Sequence, residues 1–253
     1  MQAGSLIVVG TGIRALGQLT TEAIAWMRRA DRVLYVVADP IAEEAIRQLN
    51  PAGAESLEGF YQEGQPRAAT YAAMAERIME CVRLGQVTCA VFYGHPGIYV
   101  NPAHQALRQA RAESYSARML PAISAEDCLF ADLEVDPAVT GCQSYDATDL
   151  ILHQRLLDPS AALVVWQIGI VGDWTYARHG YNLAALPQLI ERLCAAYPED
   201  HDVTVYQAAI YPGCDPIIQH VQLKDLASAS LSSASTLYIP PAIAPKRNAP
   251  IPP

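Results

Sequence analysis

Three residues between positions 61 and 71 combine reactive side chains with a regular spacing. Arg67 and Tyr71 are four residues apart on a predicted long helix, so they share one of its faces, and Tyr61 lies in the loop before it. A phenol has a reference pKa of about 10, which a nearby guanidinium lowers by favouring the phenolate. Such a pair can supply a base or hold a developing oxyanion. The structural alternative is an arginine whose stem covers apolar surface beside half-buried tyrosines.

A second candidate is the loop YGHPG at 93–97, which follows a predicted strand over Val87–Phe92. Its glycines and proline give the backbone an unusual path that exposes amides and carbonyls. Ligands of α/β proteins bind at such strand ends, so the loop is a candidate binding site. The structural alternative makes His95 a polar turn residue, with Tyr93 and Tyr99 packed at the rim.

The segment Gly10-Thr11-Gly12 could begin a dinucleotide-binding motif. Ala15 stands where the third glycine is required, and Asp39 is a poor substitute for the acidic residue expected after the second strand. A tight turn is an equally good interpretation, and the motif does not predict NAD binding.

These candidates are carried by an alternation of strands and helices that is typical of an α/β fold with a largely parallel sheet. Strands are predicted at 5–9, 32–37, 87–92 and 116–120, and helices at 41–49, 66–84, 101–112 and 124–131. A further helix is predicted after the first strand, capped by Thr20 or Thr21 and running through Trp26. Beyond residue 158 the pattern changes to strands at 161–167, 203–208, 217–221 and 235–239, with a helix at 183–196. We therefore predict an N-terminal α/β subdomain at 1–158, a C-terminal α+β subdomain at 159–241 and a Pro-rich tail at 242–253.

Composition excludes several classes of function. The 253 residues are 51% hydrophobic, with a net charge of −9, which disfavours binding to nucleic acid phosphates. No apolar run approaches the roughly 20 residues of a membrane span, and the N-terminus lacks signal-peptide features, so we expect a cytoplasmic protein. The six cysteines form no CxxC pair, and we predict no metal site.

Several separated motifs together resemble the tetrapyrrole methylase fold of S-adenosylmethionine-dependent methyltransferases. Within that fold the chain resembles the borosin (omphalotin-type) peptide backbone α-N-methyltransferases over about residues 4 to 241. The resemblance implies two α/β subdomains with the cofactor cleft between them. The motifs are VVGTGI at 8–13, the Tyr61/Arg67/Tyr71 spacing, FYGHPGIYV at 92–100, ARMLPAISAEDCLFADL at 117–133, GCQSYDATDL at 141–150, VVWQIG at 164–169 and STLYIPP at 235–241.

The resemblance also implies a set of site residues. The implied catalytic residues are Tyr61, Arg67, Tyr71 and Tyr93. Tyr71, aided by Arg67, would deprotonate a peptide amide, and Tyr61 and Arg67 would stabilise the imidate. Tyr93 would lie where cofactor and substrate meet. The positions implied to bind S-adenosylmethionine are Tyr93, His95, Ile98, Asn101, Ala125, Gln167, Ala208, Ser235 and Thr236.

The family further implies partners. Fungal members fuse a clasp region and a core peptide to the enzyme, whereas this sequence stops soon after STLYIPP. We therefore expect a split member acting on a separate precursor peptide, in a homodimer that carries two precursor chains; an engineered truncation of a fused protein would give the same sequence. Two other hypotheses stay open: methylation of a tetrapyrrole or other small molecule, and a catalytically idle peptide-binding subunit.

Overall fold

The computed structural model describes residues 4–37 and 39–245, which form two units, each with a five-stranded sheet. The first unit comprises the described residues up to Cys128, together with the short segments Trp174–Arg178 and Ala208–Asp215. We call Trp174–Arg178 the return segment. The second unit comprises Leu129–Asp173, His179–Gln207 and the described residues from Pro216 onward. Residues 246–253 of the predicted tail lie outside the described part.

The first sheet is entirely parallel, as the alternating pattern predicts. Its strands are β1 (Ser5–Gly10), β2 (Arg32–Val36), β3 (Ala54–Ser56), β4 (Val87–Phe92) and β5 (Ser116–Met119). They are arranged in the order β3-β2-β4-β1-β5. The central strands are buried on both faces, which explains their continuous apolar runs.

Helices cover both faces of this sheet. They are α1 (Thr21–Arg29), α2 (Pro40–Leu49), α3 (Arg67–Arg83) and α4 (Asn101–Ala112). The next helix, α5 (Ala125–Asp132), contains the point at which the chain passes from the first unit to the second. On β1, Leu6 and Val8 face the core under α3 and α4, and Ile7 and Val9 face the core under α1 and α2. The Thr20 hydroxyl accepts a hydrogen bond from the Ala23 amide at 3.1 Å and so caps α1.

The second sheet is mixed, with the order β6-β7-β10-β8-β9. Its unit contains α6 (Pro137–Thr140), β6 (Cys142–Asp146), α7 (Ala147–Leu152), β7 (Ala162–Trp166), α8 (Leu186–Cys194), β8 (Asp202–Gln207), β9 (Ile217–Gln222) and β10 (Thr236–Ile239). Only β6 and β7 are parallel; the other pairs are antiparallel. Helices α7 and α8 pack on the apolar core of this sheet.

Several short elements were not predicted from the sequence: β3, α6, β6 and α7. β6 was not predicted, because CQSYD is short and mostly polar, yet it pairs with β7. The division between the two units falls at Cys128/Leu129, and the later segments Trp174–Arg178 and Ala208–Asp215 belong to the first unit. Within the described residues, no helix is both long and apolar enough to span a bilayer.

Candidate active site

A cavity of about 280 Å³ lies in the first unit, at the carboxyl ends of β2 and β4. After β2 the chain continues to β3, its neighbour on one side, and after β4 it crosses to β5 on the other side. The chain thus leaves β2 and β4 in opposite directions, which is the arrangement that opens a ligand crevice in a parallel sheet. The cavity is lined by Val36, Val37, Tyr61, Tyr71, Met74, Phe92, Tyr93, Tyr99, Val100 and Pro102.

Three of the four predicted catalytic residues, Tyr61, Tyr71 and Tyr93, line this one cavity. The fourth, Arg67, is the first residue of α3, one helical turn before Tyr71. Buried Met74 and Ile78 continue the same face of α3 into the core and so fix how the helix lies against the sheet. The helix thereby holds Tyr71 at the cavity wall.

Tyr61 reaches the cavity from irregular structure. It ends the short 3₁₀ helix Glu58–Phe60, and its ring stacks on that of Tyr176 with the centroids 4.6 Å apart. Tyr176 belongs to the return segment, which sequence reasoning missed. The aromatic pair in Trp174-Thr175-Tyr176 was the available signal, but nothing in it pointed to a partner more than a hundred residues earlier in the chain.

The YGHPG loop is held by the loop that follows β1. Gly94 has a positive φ of 71°, its amide donates to the Gly12 carbonyl at 2.9 Å, and Gly12 donates back to Gly94 at 3.3 Å. A Cβ on Gly10 would lie 2.0 Å from the Gly94 carbonyl oxygen. The GxG pattern is therefore explained by close packing of two loops, which is the turn interpretation of that motif.

His95 and Asp39 both have structural hydrogen bonds. The His95 Nδ1 accepts from the Gly97 amide at 2.9 Å, within the turn. One Asp39 carboxylate oxygen accepts from the Ile41 and Ala42 amides, both at 2.9 Å, and so caps α2. Asp39 consequently acts as a helix cap at the position where a dinucleotide fold places its ribose-binding carboxylate.

The phenol of Tyr93 lies in an environment that disfavours its ionisation. Burial raises its pKa to about 12, and negative charge at Cys128 and Asp39 adds to the effect. Tyr93 is therefore a protonated hydrogen-bond donor at neutral pH.

Tyr99 lines the same cavity and adopts a left-handed backbone conformation with φ of 56°. The sequence did not single it out as a site residue.

The nine residues implied to bind the cofactor divide between the two units. Tyr93, His95, Ile98, Asn101, Ala125 and Ala208 belong to the first unit, and Gln167, Ser235 and Thr236 belong to the second. Gln167 directly follows β7 with φ of 59°, a strained conformation for a non-glycine residue. Ser235 is buried and its hydroxyl accepts from the Ser232 amide at 2.8 Å. Of the nine, only Tyr93 is among the described residues that line the cavity.

Residues 5–226 match the family model of the Tetrapyrrole (Corrin/Porphyrin) Methylases. The chain therefore belongs to the tetrapyrrole methylase family. Uroporphyrin-III C-methyltransferase from Thermus thermophilus shares the fold, with a TM-score of 0.65 and 18% identity over 95% of this chain and 94% of that chain. The same enzyme complexed with S-adenosylhomocysteine gives a TM-score of 0.62 and 14% identity over 94% and 92% of the two chains.

Relatives with higher sequence identity are fungal. A Dendrothele bispora protein, named as a methyltransferase and ribosomally synthesized precursor of the cyclic peptide dendrothelin A, is 42% identical over 94% of this chain and 58% of its own length. A Coprinopsis marcescibilis methyltransferase and type I borosin cyclic peptide precursor is 42% identical over 95% of this chain and 63% of its own length. The chain thus spans about three fifths of the length of these two relatives.

Proposed function

We propose that this chain is an S-adenosylmethionine-dependent methyltransferase that methylates backbone amides of a peptide. The observation that carries the proposal is the convergence of Tyr61, Tyr71 and Tyr93 on one cavity at the carboxyl ends of β2 and β4, with Arg67 a helical turn from Tyr71. The 42% identity to proteins named as methyltransferase and cyclic peptide precursor supports a peptide as the acceptor.

This set of side chains suits an amide. An amide nitrogen is a poor nucleophile because its lone pair is delocalised into the carbonyl, so methylation requires loss of the N–H proton and stabilisation of the resulting imidate oxygen. Tyr71, as the phenolate that the Arg67 guanidinium favours, accepts the amide proton and becomes the neutral phenol. Tyr61 and Arg67 stabilise the imidate oxygen. Tyr93, whose raised pKa of about 12 keeps it protonated, orients the acceptor as a hydrogen-bond donor and is not the base.

The first unit also offers an environment that fits the cofactor. S-adenosylmethionine, when bound, supplies an electrophilic methyl group on a sulfonium cation. Burial is the main cause of the raised pKa of Tyr93, and the negative charge of Asp39 adds to it; that carboxylate would attract a cation. Tyrosine faces, including Tyr93 and Tyr99, interact favourably with cationic groups. Tyr93 and the YGHPG loop would hold the cofactor, and Gln167, Ser235 and Thr236 stay predicted cofactor-binding residues.

Methylation of a tetrapyrrole is the alternative that the shared fold suggests. Uroporphyrin-type substrates carry several carboxylates, for which cationic side chains are the expected partners. The described residues lining the cavity are all uncharged, Arg67 is the one cationic residue assigned to the acceptor, and the chain as a whole has a net charge of −9. Those features favour a neutral peptide segment as the acceptor. The homodimer, its two bound precursor chains and action on a separate precursor stay predictions.

The test is tandem mass spectrometry of peptides incubated with the purified chain and S-adenosylmethionine. Synthetic peptides supplied as separate chains test the trans-acting mode directly, and fragment ions place each methyl on the backbone or a side chain. We expect backbone methyls that disappear in Tyr71→Phe and persist in Tyr115→Phe, a control tyrosine that packs against the same core. Cofactor binding without peptide methylation would overturn the proposal, and methylation that survives Tyr71→Phe would exclude the assigned base.

A further inference from the structure

The return segment is bound along the loop that joins Tyr61 to Arg67. Three backbone hydrogen bonds of 2.9 Å join them. The Gly64 amide donates to the Tyr176 carbonyl, and the Tyr176 amide donates to the Gln65 carbonyl. The Arg67 amide donates to the Trp174 carbonyl. Pro66 and Thr175 pair as an antiparallel bridge. These contacts lie within the first unit and align the return segment with the loop as a short antiparallel pair.

The loop itself is a tight turn whose ends carry proposed catalytic residues. The Gln65 amide donates to the Gln62 carbonyl at 3.1 Å, and Gly64 has φ of 74°, so the chain reverses between them. One end of the turn is Tyr61 and the other leads into α3 at Arg67. The Glu63 carboxylate accepts from the Arg178 amide at 2.9 Å, which ties the tip of the turn to the return segment as well.

The backbone bonds do not by themselves orient the Tyr61 ring. Tyr61 lies outside any helix or strand of the sheet, so its backbone alone leaves several χ1 rotamers accessible. The Tyr176 ring restricts that freedom, because it is stacked on Tyr61 at a centroid distance of 4.6 Å and an interplanar angle of 27°. Tyr61 also lines the cavity shared with Tyr71.

We propose that Tyr176 is a positioning residue, whose ring holds the Tyr61 phenol against the acceptor amide in the cavity. The inference rests on the proposed function, since it assigns a support to one of its catalytic groups. Misplacement of a reacting group by about 1 Å can cost on the order of 100-fold in rate. Tyr176→Ala should therefore lower kcat about 10- to 100-fold, with the dissociation constant of the cofactor changed less than about 2-fold.

Two companion variants separate positioning from a general structural role. Tyr176→Phe keeps the stacking ring and should retain kcat within about 2-fold. Arg178→Ala removes an exposed side chain of the same segment and keeps the amide that bonds Glu63, so it should also retain activity. Melting temperatures of all variants are measured in parallel. Loss of activity in Tyr176→Phe or Arg178→Ala equal to that in Tyr176→Ala would overturn the inference.

A double-mutant cycle with Tyr61→Phe gives the decisive measurement. If Tyr176 acts through the Tyr61 hydroxyl, Tyr176→Ala lowers the rate of the wild type but has little further effect in the Tyr61→Phe background. Fully multiplicative losses would refute the inference. The wild-type assay distinguishes failure of the proposed function from failure of the role assigned to Tyr176. Absence of peptide methylation by the wild type would refute the proposed function. An active wild type with multiplicative losses in the variants would refute only the role of Tyr176.

Discussion

Substituting Gly10 by alanine tests the packing that shapes the proposed cofactor loop. The added Cβ would lie 2.0 Å from the Gly94 carbonyl oxygen, 2.7 Å from the Ala122 Cβ and 2.8 Å from the Pro96 Cδ. The first contact is about 1.4 Å shorter than an ordinary van der Waals contact, and a backbone atom cannot rotate away. The loop after β4 must therefore move by about 1 Å, at a cost near the upper end of overpacking, about 3 kcal/mol.

Calorimetric binding of S-adenosylmethionine and thermal unfolding measure the two consequences. For a domain of this size, about 3 kcal/mol corresponds to a melting temperature lowered by roughly 6–12 °C. A loop displaced by about 1 Å should weaken cofactor affinity about 10- to 100-fold. Gly59→Ala is the matched control, because its Cβ would meet nothing within 4 Å. If Gly10→Ala melts and binds the cofactor like the wild type, the described approach of the two loops is wrong.

Three further predictions concern catalysis, pH and stability. Arg67→Ala should lower kcat by about 100-fold while calorimetry shows cofactor affinity within about 2-fold, because the arginine is assigned to the acceptor; a lost cofactor affinity with unchanged kcat would contradict this. Burial raises the pKa of Tyr93 to about 12, above its ordinary value of 10.0, so its contribution to folding is fully present below pH 10 and is lost as pH rises through about 12. Urea unfolding should therefore show that the unfolding free energy of the wild type falls by about 1 kcal/mol more than that of Tyr93→Phe between pH 9 and pH 11. Equal decreases in the two proteins would refute the assignment. The buried Asn50 side chain makes three hydrogen bonds to backbone groups, so Asn50→Leu should lower the unfolding free energy by about 2–4 kcal/mol; an unchanged urea midpoint would contradict that role.

Local sequence patterns predicted most elements of the first unit. The apolar runs of β1, β2 and β4 were recognisable because both faces of these strands are buried. The helix α4 has the predicted bounds, Asn101–Ala112. The Ser124 and Asp127 side chains and backbone amides bond reciprocally at the start of α5, a pairing that their three-residue spacing favours. In each case the signal lies within a few residues of the element that it specifies.

The candidate site was only partly visible in the same way. The four-residue spacing of Arg67 and Tyr71 placed them on one helix face, and the YGHPG loop indicated a strand end. The roles assigned to these residues came from family resemblance, since the residues by themselves favoured a packing role. That Tyr61, Tyr71 and Tyr93 line a common cavity depends on the order of β2 and β4 in the sheet.

The amino-acid sequence by itself determined the class of fold, the helix that carries Arg67 and Tyr71, and the strand that leads to Tyr93, because periodicity and capping act over a few residues. Only the tertiary structure decided that polar β6 joins the second sheet and that the return segment stacks Tyr176 on Tyr61. Both depend on pairing with distant parts of the chain. A short segment is stabilised by pairing with such a partner, and its own composition does not specify which partner that is.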